Sequence, residues 1–315
     1  MVQTVFVLCY HRVLPDDCKD LRSSLYRLRG TAVDESSFRQ HMIDCQERFE
    51  VLDEDRALRV LFGDENLLRP GVWITFDDAY VDILEFVDPV LQELRIPATV
   101  FAATAVLDGH WLPADRWYAT VASAKRRRGR ISNGADSWSF DLDNPETLAR
   151  LVDGREKRGF LRSTPALQVM LLAELSEALE SDPQKGRLFL NAAELAQCAR
   201  GLWSVGSHTV SHSLLPGLSD QEVKNELTES RSELELITGK TPLTFAYPDG
   251  RWDDRLTGLV REAGYAAALT LIQDAATSKN DPCCLPRFLA RNEPGFINRL
   301  FNRRIPCSQT VGSSR

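Results

Sequence analysis

Two acidic residues, Asp77 and Asp78, close the apolar run Val72-Trp73-Ile74-Thr75-Phe76. Such a run reads as a β-strand, in which successive side chains alternate between faces. Neighbouring aspartates at its end therefore meet different surroundings and can serve different tasks in one cleft. Two like charges side by side are unfavourable unless something neutralises them, and a metal ion is the usual neutraliser. The chain has 5 histidines, and two of them stand four apart in Gly206-Ser207-His208-Thr209-Val210-Ser211-His212. A helical turn beginning there would put residues i and i+4 on one face, where both imidazoles can grip a single ion.

Two imidazoles and one carboxylate leave coordination positions open, the arrangement of a catalytic rather than a structural site. Water at such a site is acidified and can attack a carbonyl whose oxygen the metal polarises. The carboxylate not spent on the metal is the natural general base. Spacing leaves open which aspartate takes which role. The chemistry expected is metal-assisted hydrolysis of an amide or an ester.

The elements that must position these residues are short β-rich runs alternating with helical patterns. The predicted strands are Thr4–Tyr10, Val72–Phe76, Ala98–Ala102, Leu202–Gly206, Leu243–Ala246, Ala266–Thr270 and Leu285–Phe288. Several are almost uniformly apolar, as parallel strands covered on both faces are. One helix is expected to start at the capping box Ser219-Asp220-Gln221-Glu222 and to stop at Gly239, and another runs from Asp253 to Gly264. The alternation implies a parallel sheet, open or closed into a barrel. Residues from about Asp108 to Leu190 break the rhythm and read as an insertion of thin apolar content, with a helix from Pro165 to Leu179 capped by Thr164. Its basic run Lys125-Arg126-Arg127-Arg128-Gly129-Arg130 reads as a solvated helix end; contact with an anionic substrate is the other reading. The expected organisation is one barrel over 1–300, with the insertion at about 108–190 and a tail at 301–315.

Thr75-Phe76-Asp77-Asp78 together with Ser207-His208-Thr209-Val210-Ser211-His212 resembles the polysaccharide deacetylase (NodB-homology) family. Tyr10-His11-Arg12-Val13, Phe245-Ala246-Tyr247-Pro248-Asp249-Gly250, Ala263-Gly264-Tyr265 and Leu285-Pro286-Arg287 extend the resemblance over nearly the whole chain apart from the insertion. It implies an α/β fold, a distorted (β/α)7 barrel with a helical insertion, and removal of N-acetyl groups from amino sugars. Carried over by motif, Asp77 resembles the catalytic base, and Asp78, His208 and His212 resemble the ligands of a divalent metal, commonly zinc.

Three departures from the family pattern stand out. Ala79 occupies the position after the aspartate pair where the family usually has Gly. The family's Arg-x-Pro-Tyr segment aligns with Ala246-Tyr247-Pro248-Asp249, so its base-orienting Arg is absent. Arg287 is expected to replace it, because a bidentate guanidinium would hold Asp77 ionised. Tyr247 and Asp249 remain candidates for substrate and oxyanion contacts, Asp249 through its backbone N–H. No His follows His212, so the late Leu-x-His segment that supplies the general acid in many members is missing. His11, at the end of the first strand, matches the N-terminal Tyr-His of the circularly permuted branch, and an imidazole suits protonation of a leaving amine. His41 and His110 have no such positional argument, and Tyr80, Trp111 and Trp252 are candidate sugar-stacking aromatics.

Bulk properties bound the remainder. The formal charge of −7 over 315 residues argues against nucleic acid as the main partner. The 7 cysteines have no ligand-like spacing and read as free thiols of a reducing compartment. The N-terminal residues read as a first strand rather than a signal peptide, and no apolar run is long enough to span a membrane. A cytoplasmic enzyme acting on an N-acetylated sugar is the resulting expectation. Its rivals are a same-fold amidohydrolase of a non-sugar amide or formamide, and a catalytically silent carbohydrate-binding protein.

Overall fold

The computed structural model describes residues 3–133, 136–183 and 186–302, with the side chains of 131–137 left aside. Cys307 and the rest of the expected tail beyond Asn302 lie outside the described residues. Seven parallel strands form most of a nine-stranded curled sheet, to which Glu50–Leu52 and the antiparallel Ala276–Thr277 also belong: β1 (Thr4–Tyr10), β2 (Gly71–Asp77), β3 (Ala98–Ala102), β4 (Trp203–Ser207), β5 (Thr244–Ala246), β6 (Ala267–Leu269) and β7 (Phe288–Leu289). Each pairs with the next in chain order from β1 to β6. The two ends approach through one segment, because Leu285 bridges Leu269 while Phe288 pairs with Leu8. The mixed α/β architecture is that of a distorted (β/α)7 barrel.

Side-chain parity explains what the curl encloses. Val5, Val7, Trp73, Phe101, Ala246, Leu269 and Leu285 gather in one buried cluster inside the curl. Their strand neighbours Phe6, Leu8, Tyr10, Val72, Ile74 and Phe76 belong to the layer between the sheet and its helices. Most strand positions are buried on both faces, which is why several strands read as almost uniformly apolar. Going up the inward face of β1 and β2, Val5, Val7 and Trp73 give way to Cys9, Thr75 and Asp77. The apolar floor thus ends in a polar rim at the strands' C-terminal ends, where sites form in folds of this kind.

The segment between β3 and β4 is larger in apolar content than its sequence suggested. It carries helices Pro113–Ala122, Pro145–Asp153, Arg155–Leu161 and Pro165–Leu179, and a hairpin of Arg128–Asn133 with Asp136–Asp141. Trp117, Trp138, Phe140, Leu151, Phe160 and Leu175 are buried there and continuous with the main core. These aromatics are spread singly, so no periodic run announced them. The basic run is corrected as well: it leads into the hairpin rather than ending a helix, and Arg126, Arg127 and Arg128 are surface ion pairs to Glu180, Asp143 and Asp141. Among the described residues no helix is long and apolar enough to cross a membrane, and the six cysteines are free thiols.

Gly206 shows how tightly the rim is built. A Cβ there would stand 2.4 Å from Phe101 Cε1 and 2.9 Å from Thr244 Oγ1. Gly206→Ala is expected to destabilise the fold by about 1–3 kcal/mol through overpacking, read as a lower urea midpoint with an unchanged slope. An unshifted midpoint would refute this packing.

Candidate active site

Asp77 is the last residue of β2 and faces the inside of the curl. Arg287, fully buried just before β7, reaches it with a fork: Nη1 donates to Oδ1 at 2.7 Å and Nη2 to Oδ2 at 2.9 Å. The guanidinium is itself held by Nε donating to the Thr270 carbonyl at 3.0 Å. Between the two strands the Cys9 thiol donates to Asp77 Oδ2 at 3.3 Å. Burial alone would raise the Asp77 carboxyl, but the charge and hydrogen bonds of Arg287 overcome it and hold the group well below the usual carboxylate range. His11 follows β1, with one ring nitrogen within 4.8 Å of an Asp77 oxygen. Burial, opposed by Asp77 and reinforced by Arg287, lowers its pKa to about 4.

Asp78 does not continue the strand. It takes φ +74°, and Ala79 follows at φ +59°. Strand alternation would have sent Asp78 to the outer face; the left-handed turn brings it back to the rim beside Asp77. Ala79 therefore carries a conformation that costs an L-residue about 1–2 kcal/mol. Asp78 Oδ1 lies 3.6 Å from His208 Nε2 and 3.3 Å from His212 Nε2. His208 Nδ1 is 2.7 Å from the Ala246 carbonyl, which can only accept, so Nδ1 carries the proton and Nε2 presents a lone pair. Burial pushes His208 down to about 3 and lowers His212, which keeps both imidazoles neutral and able to ligate.

These three side chains fit a divalent ion. Asp78 Oδ1 is buried yet has no hydrogen-bond partner, and burial with the Asp77 charge pushes its carboxyl well above the ordinary range. An oxygen facing two imidazole lone pairs calls for a cation. Ligands about 2.0–2.2 Å from zinc stand roughly 3.3–3.5 Å apart at tetrahedral angles, which matches the separations around Oδ1.

Several expectations need correction. His208 and His212 converge without a helical turn: Thr209 (φ +72°) and His212 (φ +56°) are left-handed, and the loop is tied down by Glu226, which accepts from Val210 N at 2.8 Å and Ser211 N at 3.0 Å. Tyr247 is not available to a substrate. Ala246 faces inward, so parity turns Tyr247 outward, where it is fully buried and donates its hydroxyl to the Cys283 carbonyl at 2.9 Å. Asp249 does lie at the rim, at φ +55°, its carboxylate accepting from Arg251 Nε at 2.9 Å. Tyr80 cannot stack on a sugar because its ring stacks on Phe189 at 4.9 Å and is buried. Trp111 and Trp252 are part-exposed, whereas His41 is buried with Nδ1 3.1 Å from the Tyr10 hydroxyl, and His110 is exposed. Cys9, Arg12, Asp82, Asp115 and Glu226 were not singled out as functional. Only Arg12 carried a signal, its place in the Tyr10-His11-Arg12-Val13 segment.

Comparison with known proteins places these motifs. A family model described as polysaccharide deacetylase matches residues 64–153 and 186–268. YxkH of Bacillus subtilis (strain 168), provisionally named a polysaccharide deacetylase, is 25% identical over 116 residues, 37% of this chain and 41% of YxkH. The chain thus matches about two fifths of that relative's length. The fold is similar to that of the Streptococcus pyogenes deacetylase PplD solved with acetate, with TM-score 0.63, 17% identity, and 95% of this chain and 98% of that one covered. IcaB from Ammonifex degensii gives TM-score 0.59 at 19% identity, covering 95% and 96% of the two chains. The de-N-acetylase of Aggregatibacter actinomycetemcomitans gives 0.58 at 15%, covering 95% and 100%.

The Arg287–Asp77 fork generates a stability test. Arg287→Met strands a buried carboxylate and is expected to cost about 3–5 kcal/mol. Adding Asp77→Asn should return part of that loss, a coupling that a double-mutant cycle in urea measures. Additive losses would mean that the pair is not coupled.

Proposed function

The chain belongs to the polysaccharide deacetylase family, and on that premise we propose that it is a metal-dependent hydrolase that removes an N-acetyl group from an amino-sugar-containing glycan, glycolipid or glycoside. The observation that carries the reading is the meeting, in one cleft, of a carboxylate locked to a guanidinium and a second carboxylate facing two neutral imidazoles. Asp78, His208 and His212 are the residues to hold a divalent cation, most simply zinc. Such a cation supplies Lewis-acid polarisation of the acetamide carbonyl and lowers the pKa of a water.

Asp77 is the proposed base. Arg287 keeps it ionised at working pH and fixes the direction of its free lone pairs, so it meets the attacking water in one orientation. His11, lowered to about 4 by burial, is neutral at rest. His11 lies close enough to Asp77 to be the proposed acid for the departing nitrogen, taking up the proton that the base removes from the water, and the N-terminal Tyr-His of the permuted branch supports the same role. The Asp249 backbone N–H is the proposed donor to the oxyanion.

The reading is tested with the full chain on N-acetylated sugars, formamides and cyclic ureides, following acetate release, formate release and ring opening respectively, with and without chelator. Asp77→Asn should keep its metal and lose about 10²–10⁴-fold in turnover, whereas His208→Ala should lose metal content. An Asp77→Asn variant as active as the parent would sink the assigned base. Release from formamides alone would transfer the reaction to the non-sugar class.

A further inference from the structure

Asp78 sits in two consecutive left-handed residues, and its Oδ1 has no protein partner. The backbone preference does not aim this carboxylate at the two imidazoles, and the side-chain hydrogen bond it has is to Tyr80 of its own turn. The rest of its turn must do so, and that turn is gripped from outside the barrel. Leu190 N donates to the Ala79 carbonyl at 2.9 Å, and Val81 N to the Leu188 carbonyl at 2.9 Å. Tyr80 bridges Phe189 in antiparallel fashion and stacks on its ring. The Tyr80 hydroxyl donates to both oxygens of Asp115, at 3.1 and 3.3 Å. All of these partners come from the segment between β3 and β4.

Asp115 is the centre of this grip. It is fully buried on the helix Pro113–Ala122, and it also accepts from the Tyr26 hydroxyl. Arg12 lies over the Tyr26 and Tyr80 rings at 4.6 and 5.0 Å while pairing with Asp82 at 2.7 and 2.8 Å. Beyond Tyr26 the chain of polar groups continues to Tyr118, whose ring packs edge-on at 5.0 Å and whose hydroxyl takes the buried Lys157 ammonium. A buried carboxylate that accepts from two tyrosines, one of them two residues from a metal ligand, suits an orienting task. The barrel motifs do not require it.

We propose that Asp115, acting through the Tyr80 hydroxyl, is a positioning residue for the metal ligand Asp78, so that the insertion sets the metal affinity of the barrel site. This rests on the metal-centre reading above. Asp115 touches neither substrate nor reacting atoms. Its task is to lock Tyr80, and with it the left-handed turn at Asp78 and Ala79, in the orientation that points Oδ1 at His208 and His212. Losing either end of the Asp115–Tyr80 link should loosen the ligand while leaving the barrel folded.

The test is Zn2+ and Co2+ binding to the metal-free full chain, by chelator competition for Zn2+ and by the visible absorption of bound Co2+. Tyr80→Phe keeps the ring stack and removes only the hydroxyl; Asp115→Asn keeps the shape and removes the charge. Both are expected to weaken Zn2+ binding by about 10–100-fold and to alter the Co2+ spectrum. Leu175→Ala serves as the control, since Leu175 is an apolar member of the insertion's buried core and makes no hydrogen bond through its side chain. It should lower Tm yet leave Zn2+ affinity and the Co2+ spectrum unchanged. Parental affinity and spectrum in both Tyr80→Phe and Asp115→Asn would overturn this proposal alone. So would a loss in Leu175→Ala equal to theirs. A parent chain that binds neither ion would overturn the metal-centre reading and this proposal with it.

Discussion

The constraint on which the site depends is the burial of several carboxylates within one short turn. Asp77, Asp78 and Asp82 are all removed from water within six residues of one another. A buried anion without compensation is strongly unfavourable, so each must be met by a different partner. Arg287 reaches Asp77 from inside the barrel and Arg12 reaches Asp82 from the end of β1. No protein cation pairs with Asp78 within the described residues; the two side chains facing it are imidazoles that burial keeps neutral. That asymmetry separates the two adjacent aspartates more sharply than their position on the strand does. One is satisfied by the protein, as the proposed base requires. The other has the surroundings of the proposed metal ligand.

Six of the strands were legible because burial on both faces favours apolar residues, and those predicted segments differ from the observed ones only at their ends; Leu285–Phe288 shares only Phe288 with the observed strand, and the short strands Glu50–Leu52 and Ala276–Thr277 gave no such run. The helix Asp220–Thr238 was equally legible, since its capping box and its left-handed Gly239 are local chemistry. The site was legible in its residue types and less so in its geometry. His208 and His212 suggested a helix through spacing, but a loop with two left-handed residues achieves the same convergence, and no spacing rule distinguishes the two. Tyr247 looked available because a motif segment does not display parity; once Ala246 faces inward, its neighbour cannot. Asp115 and Glu226 gave no signal at all. Each acts on residues far away in sequence, and a single acidic residue on a helix is ordinary.

Arg287 shows why some positions can be inferred across a departure from the family pattern. The buried Asp77 carboxylate is met by a planar, permanently charged donor in the same layer of the barrel, and chain order does not enter that requirement. β7 pairs with β1, and β1 with β2. An arginine just before β7 therefore lies two strands from Asp77, with Cys9 between them in the same layer. A guanidinium on a three-carbon stem spans that distance, and its fork meets both carboxylate oxygens at once. Because the sheet curls until its ends meet, first and last strands become neighbours, and residues at opposite ends of the sequence serve one cleft. His11 and Arg287 are the two that the closure contributes, on either side of the Asp77 carboxylate. An open sheet with the same motifs would keep the Asp78–His208–His212 set, which the ends of β2 and β4 supply on either side of β3. It would lose the groups that hold and surround the Asp77 carboxylate.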